Sequence, residues 1–140
     1  MTTLGTRQKR CILLLEDDTS LLAAMERLLR HHDYFVVGFE YARDFLTFLD
    51  AQTDALIESR WCAILDVDLP DMNGLEVQQH LRDQGWSWPV IFISGAADSP
   101  TIIDAWRNGA TDFLLKPFEI TELLQRLEKV FAMPDEDVPS

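Results

Sequence analysis

Five short apolar runs punctuate the chain, each ended by polar, charged or glycine residues, and each followed by a longer stretch with apolar residues at helical spacing. Cys11-Ile12-Leu13-Leu14-Leu15 stops at Glu16-Asp17-Asp18 and gives way to Leu21, Leu22, Met25, Leu28 and Leu29. Tyr34-Phe35-Val36-Val37-Gly38-Phe39 precedes Ala42, Phe45, Leu46 and Leu49. Trp61-Cys62-Ala63-Ile64-Leu65 is cut off by Asp66, and Pro70-Asp71-Met72-Asn73-Gly74 then reads as a turn before a helix starting near Leu75. Val90-Ile91-Phe92-Ile93 ends at Ser94-Gly95, ahead of Ile102, Ile103 and Trp106 on a helix closed by Gly109. Phe113-Leu114-Leu115 meets Lys116-Pro117, after which Ile120, Leu123, Leu124, Leu127, Val130 and Phe131 form one stripe. Near-continuous apolar runs are strands buried on both faces, and strands alternating with helices pair in parallel through right-handed crossovers. The pattern predicts an α/β fold: a five-stranded parallel sheet, doubly wound, with helices on both faces.

At 140 residues and 47% apolar content, this is one domain with a core large enough to fold without staples. The expected division is an N-terminal extension over 1–9, the domain over 10–132, and an acidic tail or linker stump over 133–140 that carries Asp135-Glu136-Asp137. Cys11 and Cys62 are too few for a disulfide scaffold and are read as buried thiols in a reducing compartment. The apolar run behind Arg7, Lys9 and Arg10 is only five residues long, too short for a signal peptide, and no stretch approaches a membrane span. A cytoplasmic location and no membrane contact are expected. With 24 acids against 12 bases the net charge is −12, which argues against direct nucleic-acid binding, since such proteins cluster Lys and Arg against phosphates.

In an open parallel sheet the site forms beyond the carboxyl ends of the strands. The residues ending the apolar runs are Glu16-Asp17-Asp18, Asp66, Ser94 and Lys116. Taken singly each has a plain reading: Asp18, just before Thr19 and Ser20, is best read as a helix N-cap, Ser94 beside Gly95 as a turn, and Lys116-Pro117 as a solvated loop. Together they place several carboxylates, a hydroxyl and an ammonium on one rim. Converging carboxylates repel, and a hard divalent cation with oxygen ligands, Mg²⁺ first, relieves that repulsion.

Four stretches then carry a family resemblance: Leu14-Leu15-Glu16-Asp17-Asp18; Ile64 to Glu76, with Asp66-Val67-Asp68-Leu69-Pro70-Asp71-Met72-Asn73-Gly74 at its centre; Val90 to Gly95; and Asp112 to Phe118. In order and spacing they resemble the signature blocks of two-component response-regulator receiver domains over about Arg10 to Phe131, most closely receivers of the nitrogen-fixation regulator type. The resemblance implies the flavodoxin-like receiver fold with strand order 2-1-3-4-5. It implies Asp66 as phosphoacceptor, and Mg²⁺, with Mn²⁺ as a substitute, held by Glu16, Asp17, Asp66 and the backbone carbonyl of Asp68. It also implies Lys116 and Ser94 as contacts of the acyl phosphate, Ser94 and Phe113 as switch residues, and a cis Lys116-Pro117 bond. Implied partners are a sensor histidine kinase or phosphotransfer protein, and a downstream protein or attached output domain. Phosphorylation is expected to switch the face formed by the fourth helix, fifth strand and fifth helix, for partner binding or homodimerisation.

Two positions are expected to tune phosphoryl lifetime: Asp68, which adds a carboxylate near the acceptor, and Ala96, which offers no polar group to orient water. Trp106 and Phe113 also have plain readings as core aromatics, and Trp86 and Trp88 carry no assigned chemistry. His31, His32 and His80 lack metal-ligand spacing and are expected on helix surfaces or ends. The chain is not expected to be an enzyme beyond assisting its own phosphorylation and dephosphorylation. The rival enzyme reading is a haloacid-dehalogenase-like phosphatase using Asp66 and Asp68, but the acidic pair here lies upstream of the nucleophile and not downstream. A receiver that no longer accepts phosphate, acting as a binding module, is the remaining alternative.

Overall fold

The computed structural model describes residues 9–51, 59–95, 104, 107 and 109–132. Residues 1–8 of the expected extension, the expected tail, Ala96, and Ile102, Ile103 and Trp106 of the expected fourth helix lie outside the described residues. The elements run β1 (Arg10–Leu15), α1 (Thr19–His31), β2 (Phe35–Phe39), α2 (Ala42–Ala51), β3 (Arg60–Asp66), α3 (Gly74–Asp83), β4 (Val90–Ser94), β5 (Asp112–Leu115) and α4 (Ile120–Ala132). Helix α4 is the last helix expected from the sequence. The strands form one sheet in the order β2-β1-β3-β4-β5, and every pairing is parallel.

Alternate strand residues feed two cores. Leu13, Leu15, Ala63, Leu65 and Phe92 pack with Phe45 and Leu49 of α2 and Val77 and Leu81 of α3. Ile12, Leu14, Ile64, Ile91 and Ile93 pack on the other side with Leu22, Met25 and Leu29 of α1 and Leu123, Leu127 and Phe131 of α4. That two-sided burial is why the strands are apolar at consecutive positions. The edge strands depart from it: Phe35 on β2 and Leu115 on β5 are 44% and 46% exposed, because each lies on a strand with a neighbour on one side only. Leu28, expected in the apolar stripe of α1, is exposed as well. Both cysteines are buried free thiols, and burial raises the thiol pKa of each.

Helix starts follow local chemistry. Asp18 Oδ1 accepts from Ser20 N and Leu21 N and so caps α1, and Asn73 Oδ1 accepts from Leu75 N at the start of α3. Glycine is required at 74: a Cβ there would lie 2.7 Å from the Asp66 carbonyl oxygen and 3.1 Å from Val67 Cα. Its backbone N–H donates to Val67 O at 3.0 Å, so α3 begins hard against the end of β3. Among the described residues, no helix is long and apolar enough to cross a membrane.

Candidate phosphoacceptor and metal site

Strand register brings the run-ending residues together. Leu15 pairs with Leu65, so Glu16 and Asp66 follow side by side; Asp66 pairs with Ile93, just before Ser94; Ser94 pairs with Leu115, just before Lys116. Each terminator thus occupies the same carboxyl rim, on adjacent strands β1, β3, β4 and β5. Three of them are buried: Glu16 at 0% exposure, Asp66 at 2% and Ser94 at 1%. Buried charges need partners. Lys116 Nζ lies 2.8 Å from Asp66 Oδ2 and 2.8 Å from Glu16 Oε1, bridging the two acids. The second oxygen of each acid accepts from the backbone, Glu16 Oε2 from Asp18 N at 3.0 Å and Asp66 Oδ1 from Asp68 N at 2.8 Å.

Glu16, Asp17 and Asp66 each present a carboxylate oxygen within 4.8 Å of the others, Asp17 from the exposed side. Three carboxylates face one ammonium, so the cluster holds more negative charge than Lys116 neutralises. Burial, the largest influence, pushes the Glu16 carboxyl up to about 7 against the pull of Lys116 and the Asp18 N–H, and the neighbouring Asp66 adds to the rise. For Lys116 burial works against the charged form, but its hydrogen bonds to Asp66 and Glu16 prevail and raise its pKa. An all-oxygen donor set, two-thirds buried and short of positive charge, fits Mg²⁺ or a similar hard cation.

The other expected residues fall around this centre. The Ser94 backbone carbonyl accepts from Lys116 N at 2.8 Å, which ties the ends of β4 and β5 together. Phe113 is half-buried and stacks on Phe92, with ring centroids 5.7 Å apart, so its plain reading as a packed aromatic describes its position here. The Lys116-Pro117 bond is cis. The Asp68 side chain is exposed, while its backbone closes a small loop by bridging to Asn73. His31 and His32 are exposed at the end of α1, but His80 on α3 is only half-exposed and its Nε2 is buried.

Two residues at this rim escape sequence reasoning. Gly74 has a signal, the Asn-Gly turn, yet nothing local shows that its missing Cβ admits the Asp66 carbonyl. Asp71 has none: its Oδ1 and Oδ2 accept from Ala42 N and Arg43 N, both at 3.0 Å, at the start of a helix 29 residues upstream. These two backbone N–H groups hold the Asp71 carboxyl below its usual range.

A family model for the response regulator receiver domain matches residues 12–128. The chain is 41% identical over 113 residues to the response regulator protein TodT of Pseudomonas putida, covering 81% of this chain and 47% of that protein. It is 32% identical over 126 residues to the DNA-binding transcriptional regulator NtrC of Proteus hauseri, covering 89% of this chain and 25% of that one. It thus spans half or less of the length of these relatives. Among solved structures, FixJ-N superposes with a TM-score of 0.77 at 26% identity, covering 91% of this chain and 98% of that one. The non-phosphorylated HemR receiver domain of Leptospira biflexa does so with a TM-score of 0.77 at 26% identity, over 90% and 97% of the two chains. Strand order, rim chemistry and these likenesses agree, and the chain belongs to the response regulator receiver domain family of two-component systems.

Proposed function

We propose that Asp66 is the phosphoacceptor of this receiver and that the carboxyl rim is its phosphorylation site. The observation that carries the reading is the cluster itself: Glu16, Asp17 and Asp66 oxygens within 4.8 Å of one another, with Lys116 Nζ 2.8 Å from Asp66 Oδ2. An Asp66 carboxylate oxygen attacks phosphorus of the donor, the bond from phosphorus to the leaving nitrogen or oxygen breaks, and an acyl phosphate forms. Phosphoryl transfer asks the protein mainly for positioning and for positive charge around the transferring oxygens. Glu16, Asp17, Asp66 and the backbone carbonyl of Asp68 would hold Mg²⁺, with Mn²⁺ as substitute, and the bound ion supplies positive charge beside the phosphoryl oxygens. Lys116 exchanges its carboxylate partner for a phosphoryl oxygen, and Ser94 donates a hydrogen bond to another.

Phosphorylation adds a charge of about −1.5 to −2 at Asp66, offering Ser94 and Lys116 a partner that exists only in that state. Ser94 ends β4 and Lys116 follows β5, and Phe113 on β5 is the side chain that turns as both engage the phosphoryl group. The face built from the expected helix around Ile102 to Trp106, β5 and α4 then changes shape for a downstream protein, an attached output domain or a second copy. The phosphoryl donor is a sensor histidine kinase, a phosphotransfer protein or a small phosphodonor, and the setting is the cytoplasm. The chain promotes its own phosphorylation and dephosphorylation and turns over no external substrate.

Incubation with Mg²⁺ and acetyl phosphate tests this directly. Intact-mass analysis should show one phosphoryl adduct that disappears in Asp66→Asn and when EDTA replaces Mg²⁺. No adduct on the native chain, or one that survives Asp66→Asn, refutes it. The exposed Asp68 carboxylate, two residues from the acceptor, should set part of the phosphoryl lifetime, and an unchanged half-life in Asp68→Asn sinks that assignment.

A further inference from the structure

Helix α2 starts without a local cap. Phe45 N donates to Tyr41 O, which makes Tyr41 the N-cap residue, and a tyrosine side chain is not among those that cap the first amides. The cap comes from another part of the chain: Asp71 spans Ala42 N with Oδ1 and Arg43 N with Oδ2, both at 3.0 Å. Asp71 lies in the seven-residue loop between β3 and α3. That loop is closed at its base by Asp68 N on Asp66 Oδ1, by the bridge between Asp68 and Asn73, and by Gly74 N on Val67 O. On the other side of the site, Glu16 N donates to Phe39 O at the end of β2, two residues before Tyr41.

These contacts form a closed ring. From Glu16 it crosses to Phe39, follows the backbone through Glu40 and Tyr41 to Ala42, passes through the Asp71 carboxylate into the loop, and returns through Asp68 to Asp66. Two halves of the acid cluster lie on it, Glu16 with Asp17 just after β1 and Asp66 with the Asp68 carbonyl at the end of β3 and in its loop. Sheet register joins the halves behind the site, Lys116 bridges Glu16 to Asp66, and Asp71 adds a further link from the Asp68 loop to the first turn of α2. We infer that Asp71 is a positioning residue for the metal site: by tying the Asp68 loop to the first turn of α2 it sets the spacing between the two halves of the cation-binding cluster. This inference rests on the reading of the rim as an Mg²⁺ site. A plain helix cap is the competing role, and a cap acts on α2 alone whereas a tether acts on the cluster.

The two roles separate in one set of proteins titrated with MgCl₂ and followed by amide NMR, which reads binding without any phosphorylation. Asp71→Ala should weaken Mg²⁺ binding by roughly tenfold, the low end of the loss seen when groups behind metal ligands are removed. Asp71→Asn, which keeps one acceptor oxygen, should recover part of it. Adding Tyr41→Ser to Asp71→Ala gives α2 a local cap without restoring the tether. Helix content should return in the double variant while Mg²⁺ binding stays weak. If the double variant also regains native Mg²⁺ affinity, or if Asp71→Ala binds as tightly as the native chain, the tether is overturned. A native chain whose amides at Glu16, Asp17 and Asp66 ignore MgCl₂ overturns the metal-site reading instead.

Discussion

At the carboxyl end of the sheet, Glu16 and Asp66 are acids taken into the protein, each 2.8 Å from Lys116 Nζ, whereas at the amino end the same strands begin among aromatic rings. Phe35 on β2 stands edge-on to Trp61 on β3, with centroids 6.1 Å apart, and Trp61 stacks on Trp88, itself 4.9 Å from Trp86. Cations there rest on rings: Lys9 lies over Phe35, and Arg10 and Arg60 both lie over Phe131. Arg60 Nη1 also donates to Phe131 O at 2.7 Å, anchoring the last turn of α4. The amino end is balanced by dispersion and cation–π contacts that need nothing from solution. The carboxyl end keeps three acids against one lysine, so its balance changes when a cation binds. One sheet therefore carries a fixed end and a responsive end, and the responsive one is where like charges converge.

The comparison breaks most visibly at Lys116. Lys116→Met leaves Glu16 and Asp66 buried without their cation, so the metal-free protein should lose about 3 kcal/mol of stability in urea unfolding. Added Mg²⁺ should return much of it, because the ion supplies the missing charge. A variant as stable as the native chain without Mg²⁺ would show that the rim does not depend on this pair. Gly74→Ala comes next. Its Cβ would sit 2.7 Å from the Asp66 carbonyl oxygen, which is backbone and cannot swing away, so a loss of about 2 kcal/mol is expected together with slower phosphoryl uptake.

The pH dependence is smaller and has a defined sign. Glu16 titrates at about 7 when folded, above its ordinary 4.5, so between those values the metal-free folded chain holds a proton that the unfolded chain has released. Stability of the metal-free protein should therefore fall as pH rises from 4.5 to 7. Mg²⁺ must displace the same proton, so binding should tighten by roughly tenfold from pH 6 to pH 8, measured by the NMR titration, and level off above that. The smallest effect is expected at the amino end. Trp61 Nε1 is buried and has no hydrogen-bond partner among the described residues, so Trp61→Phe removes a buried donor along with some packing, for a net cost of less than about 1 kcal/mol. Mg²⁺ affinity should not change in that variant; a shift would mean that the two ends are coupled.

The strands and helices were legible because their signals are local. An apolar run of three to six residues ended by a polar or charged residue fits a buried strand, and Asp18 and Asn73 cap helices within their own few residues. The rim was legible for a topological reason, since all carboxyl ends of a parallel sheet face one way. That placed Glu16, Asp66, Ser94 and Lys116 together before any distance was known. Edge exposure was not legible: Phe35 and Leu115 look like their neighbours in sequence, and only the order of strands makes them outermost.

The sequence by itself determined which residues reach the site, because strand length and strand ending are written within a few positions of one another. Tertiary structure decided how they are joined there. Lys116 bridges Glu16 and Asp66 across 100 and 50 positions, and Asp71 caps a helix that starts 29 positions before it. Such contacts depend on where two distant backbones come to lie, and on hydrogen-bond geometry to within a few tenths of an ångström, which no local pattern encodes.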